Sequence, residues 1–476
     1  ESPHHSARPP DDAPAAALPL APQEGVTPIA PPDEPMARAR LVHGPLGRTI
    51  ASVALPAVAS TLLMTVFGTA DAYWVGMHIG GRGLAAVSIS LFWIWSIIAL
   101  AEMVSVGLTA VAARRHGEGD PRAAARAVGD AMVLALGVGA LVTVAGSLFL
   151  DQLFAVMQTP ADVAALGKRY LGTYLLGAPL IFGFFAIDAG FRASGDTRTP
   201  FMLLAVSVTV ALLLDPVLIL GLGPAPELGI AGAAVATILT RGAVFLAGVA
   251  LLLRRRMLAF GAIVWGTVGA VARIGLPTAV TGIFFSSIYV ALTRTTARFG
   301  TPALAALGVG HRVESWAYMI GVGFGVAAAA IIGQNLGARR TDRAERAGWI
   351  AMGFATAVAT VAGVLELALA EEFAAMFTTE PAVIAESARY LRISALSTIL
   401  IGAELVLEGA LGGAGYTLAP MLASSSITAL RIPLALWAAP RWGATGIWWT
   451  ISLTAAARAL AMVYLWRSGR WKVKSV

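Results

Sequence analysis

The chain lacks cysteine altogether and carries little charge. With no Cys among its 476 residues, disulfides, thiolate metal sites and cysteine-based catalysis are excluded. Asp, Glu, Lys and Arg together make up only 13%, about half of what a soluble surface needs. The six histidines (His4, His5, His43, His78, His116 and His311) stand far apart, without ligand spacing. No HExxH, GxSxG or Gly-rich phosphate loop with its Lys occurs, so no enzyme activity is expected. A primary pump would need its ATPase on another chain. Nucleic-acid binding is a poor explanation of the net charge of +7, because the arginines fall in short clusters between apolar runs.

What is present is apolar. Hydrophobic residues make up 57% and the mean hydropathy is +0.76. Such a surplus calls for lipid rather than water as solvent. Residues 1–45 are the exception: rich in Pro and Ala, with three Arg against six acids. This tail buries too little to fold and is expected to be disordered. It has no apolar core of signal-peptide type after a basic start. The chain begins with Glu1 rather than Met, and a start that lies upstream or has been altered is expected.

From residue 46 onward, apolar runs of about 20 residues or more follow one another, each enough to cross a bilayer. Twelve spans are predicted: 48–77, 84–112, 123–149, 166–192, 200–221, 229–252, 267–297, 303–333, 344–369, 385–412, 418–438 and 444–466. No period-2 alternation suggests a β-barrel. Loops on one side hold Arg114, Arg115, Arg122 and Arg126, then Arg192 and Arg198, then Arg254–Arg256, then Arg339, Arg340, Arg343 and Arg346. The C-terminal stretch 467–476 adds Arg467, Arg470, Lys472 and Lys474. Loops on the other side carry single or acid-balanced charges. The asymmetry places both termini in the cytoplasm. A multi-pass protein of the prokaryotic plasma or inner membrane is expected, in contact with lipid and monomeric.

The two halves resemble each other at an offset of 220 residues. Arg169-Tyr170-Leu171 returns as Arg389-Tyr390-Leu391, and Gly117, Gly195 and Pro200 return as Gly337, Gly415 and Pro420. Six spans per copy orient both copies alike. An all-α protein of two parallel six-helix lobes is predicted, 46–256 and 257–466, related by a pseudo-two-fold axis along the membrane normal. Lobes around a central cavity are a transporter design with alternating access.

Ionisable groups within spans are costly and mark function. Asp71, Asp215 and Thr237 fall at one depth in the outer half of the N-lobe, roughly 10–12 Å in at 1.5 Å per helical residue. Asp188 lies nearer the cytoplasm. Carboxylates gathered in an apolar bundle repel and are poorly solvated, which favours a bound proton or cation. Neutralisation can then couple an ion to a lobe's shape. The competing role is a static network that holds helices together. In the C-lobe, Glu408 corresponds to Asp188, and Glu404 lies one turn away. A buried ion pair between Glu404 and Arg431 is expected. Glu314 is expected to pair locally, near His311 and Arg312. Trp93, Trp316, Glu404 and Glu408 are candidates for lining the substrate cavity.

Together, Pro56, "DAYWVG" (71–76), "LAAV" (84–87), "FRASGDTRTP" (191–200), "LDPVLI" (214–219), "GIAGAAVAT" (229–237), "GQNLGA" (333–338) and "EGALGGAGYT" (408–417) resemble the multidrug and toxic compound extrusion (MATE) family. The resemblance runs through residues 46–466. It implies a cation-coupled exporter of amphipathic, often cationic drugs, with no cofactor beyond H+ or Na+ as coupling ion. It implies that Asp71 and Asp215 are central to coupling and would be the metal ligands if the ion is Na+. Asp188 stands where the family has a span 4 asparagine, Thr237 matches a span 6 polar residue, and Pro56 would bend the first helix. Two positions depart from the pattern. Ala211 stands where members with this cluster often have Asn, and span 7 has no acid. The missing span 7 acid brings the pattern closer to the DinF-like branch, while the extra carboxylate at Asp188 stands against the amide missing at Ala211. A flippase for lipid-linked precursors, from the same wider superfamily, is the alternative. Its cavity would tend to be basic, whereas the N-lobe interior here is acidic.

Overall fold

The computed structural model describes residues 40–157 and 159–474, and all regular structure among them is helical. Span 1 is Leu46–Ile79, span 2 Gly81–Glu118, and span 3 Pro121–Leu148 with the short helix Leu150–Val156 after it. Span 4 is a pair of helices, Ala161–Leu176 and Ala178–Ala193, bent by 51°. Spans 5 to 8 are Arg198–Leu220, Ile230–Arg254, Trp265–Ala297 and Thr301–Gly337. Span 9 is Thr341–Ala368, and span 10 is Pro381–Gly413. The remaining 50 residues, Leu418–Arg467, would reach about 75 Å, more than twice the thickness of a bilayer core. They break after Ala429 and again at Gly443 (φ 61°, ψ −149°). They are therefore spans 11 and 12, and the protein has twelve spans in two lobes.

The bend in span 4 departs from the continuous run expected there. Pro179 supplies no amide hydrogen to the turn before it, so the helix restarts after Gly177. The repeat-related position in span 10 is Ile399, and that helix runs unbroken. Span 2 extends past its apolar stretch to Glu118, where Gly119 (φ 83°) takes the left-handed turn that ends it.

The lobes meet through spans 1, 2, 7 and 8: span 1 packs on span 8, and span 2 packs on spans 7 and 8. The repeat maps the pair 1–8 onto the pair 7–2, as a two-fold axis requires. A Cβ on Gly117 would lie 2.0 Å from the carbonyl oxygen of Gln334, and one on Gly337 would lie 2.1 Å from that of Arg114. Arg114 and Gln334 are themselves 220 residues apart, so this is one contact made twice. Gly107 against Val271 and Gly275 against Met103 are equally tight. These contacts all lie toward the side that carries the described chain ends, called the terminal side below. The lobes are sealed there by backbone against backbone.

Most of the expected tail lies outside the described residues. Residues 40–45 lie within them and are docked. Leu41 and Val42 are buried. The Leu41 carbonyl accepts from Asn335 Nδ2 at 3.2 Å, and Arg340 donates to the Val42 carbonyl at 3.0 Å.

Candidate functional site

The N-lobe carboxylates come together as their depth predicted. Asp71 of span 1 is 7% exposed and Asp215 of span 5 fully buried, because spans 1 and 5 pack on each other. The two lie within electrostatic reach of each other. The Tyr170 hydroxyl, from span 4, donates to Asp71 Oδ2 at 3.1 Å. Among the described residues, Asp71 Oδ1 and both oxygens of Asp215 have no hydrogen-bond partner. A buried carboxylate left this way costs several kcal/mol when ionised, so the pair calls for a positive charge. Thr237 of span 6 is buried. Among the described residues no group of three or more His, Asp or Glu is placed to hold a metal. A cation here would rest on two carboxylates and neutral oxygens.

Asp188 does not join this pair. Its carboxylate is bound by Arg192, one turn further along span 4. The N-lobe pocket instead holds two groups that the sequence reading passed over. One is Tyr170, and the other is Arg241, four residues after Thr237 on span 6 and 6% exposed. Arg241 Nη2 donates to Met64 Sδ at 2.9 Å, and the guanidinium lies 4.8 Å from the Phe184 ring centre. Its Nη1 is buried without a partner. A cation within a predicted span was the available signal.

The expected pair of Glu404 and Arg431 is not formed. Glu404 Oε1 is 3.1 Å from Arg458 Nη2 of span 12, and both residues are buried. Arg431 follows the break between Ala429 and the next helix, and its Nε donates to Thr454 Oγ1 at 2.7 Å. Glu314 is likewise not held by its sequence neighbours: the Tyr390 hydroxyl donates to its Oε2 at 3.2 Å. Glu366, 2% exposed, leaves Oε2 without a partner in the same lobe.

Between the lobes, Glu102 of span 2 is exposed and Glu408 of span 10 half-buried. With Tyr318 they lie within electrostatic reach of one another. Glu408 occupies the position of Asp188 in the repeat, but Gly412 stands where Arg192 would neutralise it. Glu102 adjoins Met103, where the seal between spans 2 and 7 begins. Glu102, Trp316 and Tyr318 are exposed within spans 2 and 8, where the lobes meet. The space these exposed residues face is the cleft between the lobes, with Glu102 at its floor. Trp316 is 51% exposed. Trp93 is half-buried against the N-lobe core. Span 1 runs as one helix through Pro56, whose carbonyl accepts from Ser60 Oγ at 3.0 Å.

Twelve spans in two repeat-related lobes, with buried carboxylates in the lobe interiors and a cleft between them, define a membrane transporter. The MatE family model matches residues 56–217 and again 277–437, once in each lobe. The chain belongs to this family, the multidrug and toxic compound extrusion transporters. It is 28% identical over 444 residues to a probable multidrug resistance protein NorM of Thermotoga maritima, covering 90% of this chain and 94% of that one. It is 27% identical over 431 residues to an FAD transporter of Shewanella oneidensis, covering 89% and 95%. An outward-facing structure of a MATE family multidrug resistance transporter superposes with a TM-score of 0.85 at 22% identity, covering 92% of this chain and 99% of that one.

Proposed function

We propose that the protein is a secondary antiporter of the plasma membrane, in which H+ or Na+ enters at Asp71 and Asp215 and an amphipathic organic cation leaves. The observation that carries this reading is Asp215, fully buried beside Asp71 with neither carboxylate oxygen partnered. An apolar lobe tolerates two such groups only if a cation resides there for part of the cycle. Binding and release of that ion alter the repulsion within the lobe and so bias its shape. Both termini are assigned to the cytoplasm by the arginine clusters, so the seal closes the cytoplasmic side and the cleft opens outward.

Glu102 and Glu408 support a cationic cargo. Arg192 is shared between Asp188 and Glu102, and Arg458 between Glu404 and Glu408, so carboxylates outnumber these guanidiniums at the floor of the cleft. The FAD transporter among the relatives carries an anionic cargo. A floor with this excess of carboxylates disfavours such a molecule here, as it does the pyrophosphate of a lipid-linked precursor. Purified protein in liposomes, with pH and sodium gradients imposed separately, tests the reading. Ethidium movement driven by one gradient supports antiport. Movement that follows the ethidium gradient alone, indifferent to either ion, overturns it.

A further inference from the structure

The N-lobe contains opposite charges that are buried together and not paired. Asp215 has two free carboxylate oxygens and Asp71 has one, while Arg241 has a free Nη1. What the guanidinium touches instead is weak: a thioether sulfur at 2.9 Å and the face of an aromatic ring at 4.8 Å. The contrast with the C-lobe is direct. There the buried arginine of the sixth span, Arg458, sits 3.1 Å from Glu404.

Neighbouring helices bring these groups into one lobe interior: spans 5 and 6 pack on each other, and Arg241 touches span 1 at Met64. Met64 lies seven residues before Asp71, two helical turns along the same face of span 1, or roughly 10 Å at 1.5 Å per residue. Side chains on a helix lean toward its N-terminus, which for span 6 is the end nearer Thr237. Tyr174 of span 4 is in electrostatic reach of both Arg241 and Asp71, so it lies along the path. The ionisable groups around the pocket are thus Asp71 from span 1, Tyr170 and Tyr174 from span 4, Asp215 from span 5 and Arg241 from span 6.

We propose that Arg241 is a resident counter-cation: when Asp71 and Asp215 release the coupling ion, its guanidinium leaves Met64 and Phe184 and pairs with them. Ion and guanidinium occupy the carboxylates in turn. The lobe never holds two bare negative charges, and release of the ion is assisted by its replacement. Met64 lies on span 1 and Phe184 on span 4, so the swing also loosens one contact between span 6 and each of those helices. The inference rests on the antiport reading and assigns Arg241 a positioning role within it.

Two measurements test it. The first is a structure of the wild-type protein in sodium-free buffer at high pH, where neither ion is available. An Arg241 guanidinium within hydrogen-bond distance of Asp71 or Asp215 is expected. A guanidinium still resting on Met64 and Phe184 overturns the proposal. The second is ion-driven ethidium transport in liposomes. Removing the competitor in Arg241→Gln is expected to lower the half-saturating ion concentration about tenfold, within the usual range of such couplings, and to slow maximal turnover. Arg241→Lys keeps a charge and is expected to restore both. An unchanged half-saturation in Arg241→Gln would mean a packing role only and sinks the idea. Wild-type protein that responds to neither gradient would instead refute antiport itself. Those two failures are distinguishable.

Discussion

Tyr170 and Tyr390 are the same residue of the repeat, and each donates its hydroxyl to a carboxylate on a different partner span, buried in one lobe and half-buried in the other. Tyr170 holds Asp71 of span 1 at 3.1 Å, and Tyr390 holds Glu314 of span 8 at 3.2 Å. The tyrosine was duplicated with the fold, while the acid it serves was placed independently in each lobe. Replacing Tyr170 by Phe removes the only hydrogen bond that the Asp71 carboxylate receives among the described residues. A hydrogen bond to a charged group is worth about 1.5–3 kcal/mol. The ionised form loses that support, so the coupling ion binds about tenfold or more tightly. Tyr170→Phe is expected to lower the half-saturating ion concentration for ethidium efflux, and a rise would contradict the assignment.

Asp71→Asn and Asp215→Asn remove one negative charge each from the pocket. Both variants are expected to be expressed and folded, since an amide costs less to bury than an ionised carboxylate. Gradient-driven efflux is expected to vanish in both. Ethidium pumping by Asp71→Asn at the wild-type rate would exclude that residue from coupling.

The Glu404–Arg458 pair predicts a pattern of stability rather than of transport. Breaking a buried pair leaves its partner charge uncompensated, at a cost of about 3–5 kcal/mol. Arg458→Met alone is therefore expected to melt well below wild type in detergent. The double variant with Glu404→Gln should recover most of the loss. Arg431→Met should show no such rescue by Glu404→Gln, because Arg431 is held by Thr454.

Gly117 tests the seal. A side chain there would collide with the carbonyl of Gln334, at 2.0 Å for the first carbon alone. Gly117→Val is expected to hold the terminal side open and stop turnover. A single cysteine introduced on the cleft floor reports this in a chain with no native cysteine. It should become reachable by a thiol reagent from the cytoplasm in Gly117→Val and stay protected otherwise.

Glu102 and Glu408 should set cargo charge. With one carboxylate lost from the floor, Glu102→Gln is expected to raise the KM for a permanent cation several-fold and leave that for an uncharged substrate unchanged. Equal effects on both would remove Glu102 from cargo recognition.

The number of spans, the duplication and the meeting of Asp71 with Asp215 were legible in the sequence, because apolar run length and helical rise determine them. Which charge meets which was not. Asp188 met Arg192 by the one-turn spacing of a helix, a rule that sequence alone could have applied. Glu404 met Arg458 rather than Arg431 because the chain breaks after Ala429 and turns Arg431 toward Thr454, and no local pattern announces that turn. Arg241 was readable as a cation inside a span, but its neighbours Met64 and Phe184 come from helices distant in sequence. The bend in span 4 was signalled by Pro179, and its absence in span 10 by Ile399.

Peptide groups resting on peptide groups, as where Gly117 meets Gln334 and Gly337 meets Arg114, have no knobs to disengage. What parting the two halves does break there is a directional contact, the hydrogen bond from Gln334 Nε2 to the Ala193 carbonyl at 2.7 Å. The gate therefore opens by giving up hydrogen bonds rather than by withdrawing interlocked side chains from Gly117 or Gly337.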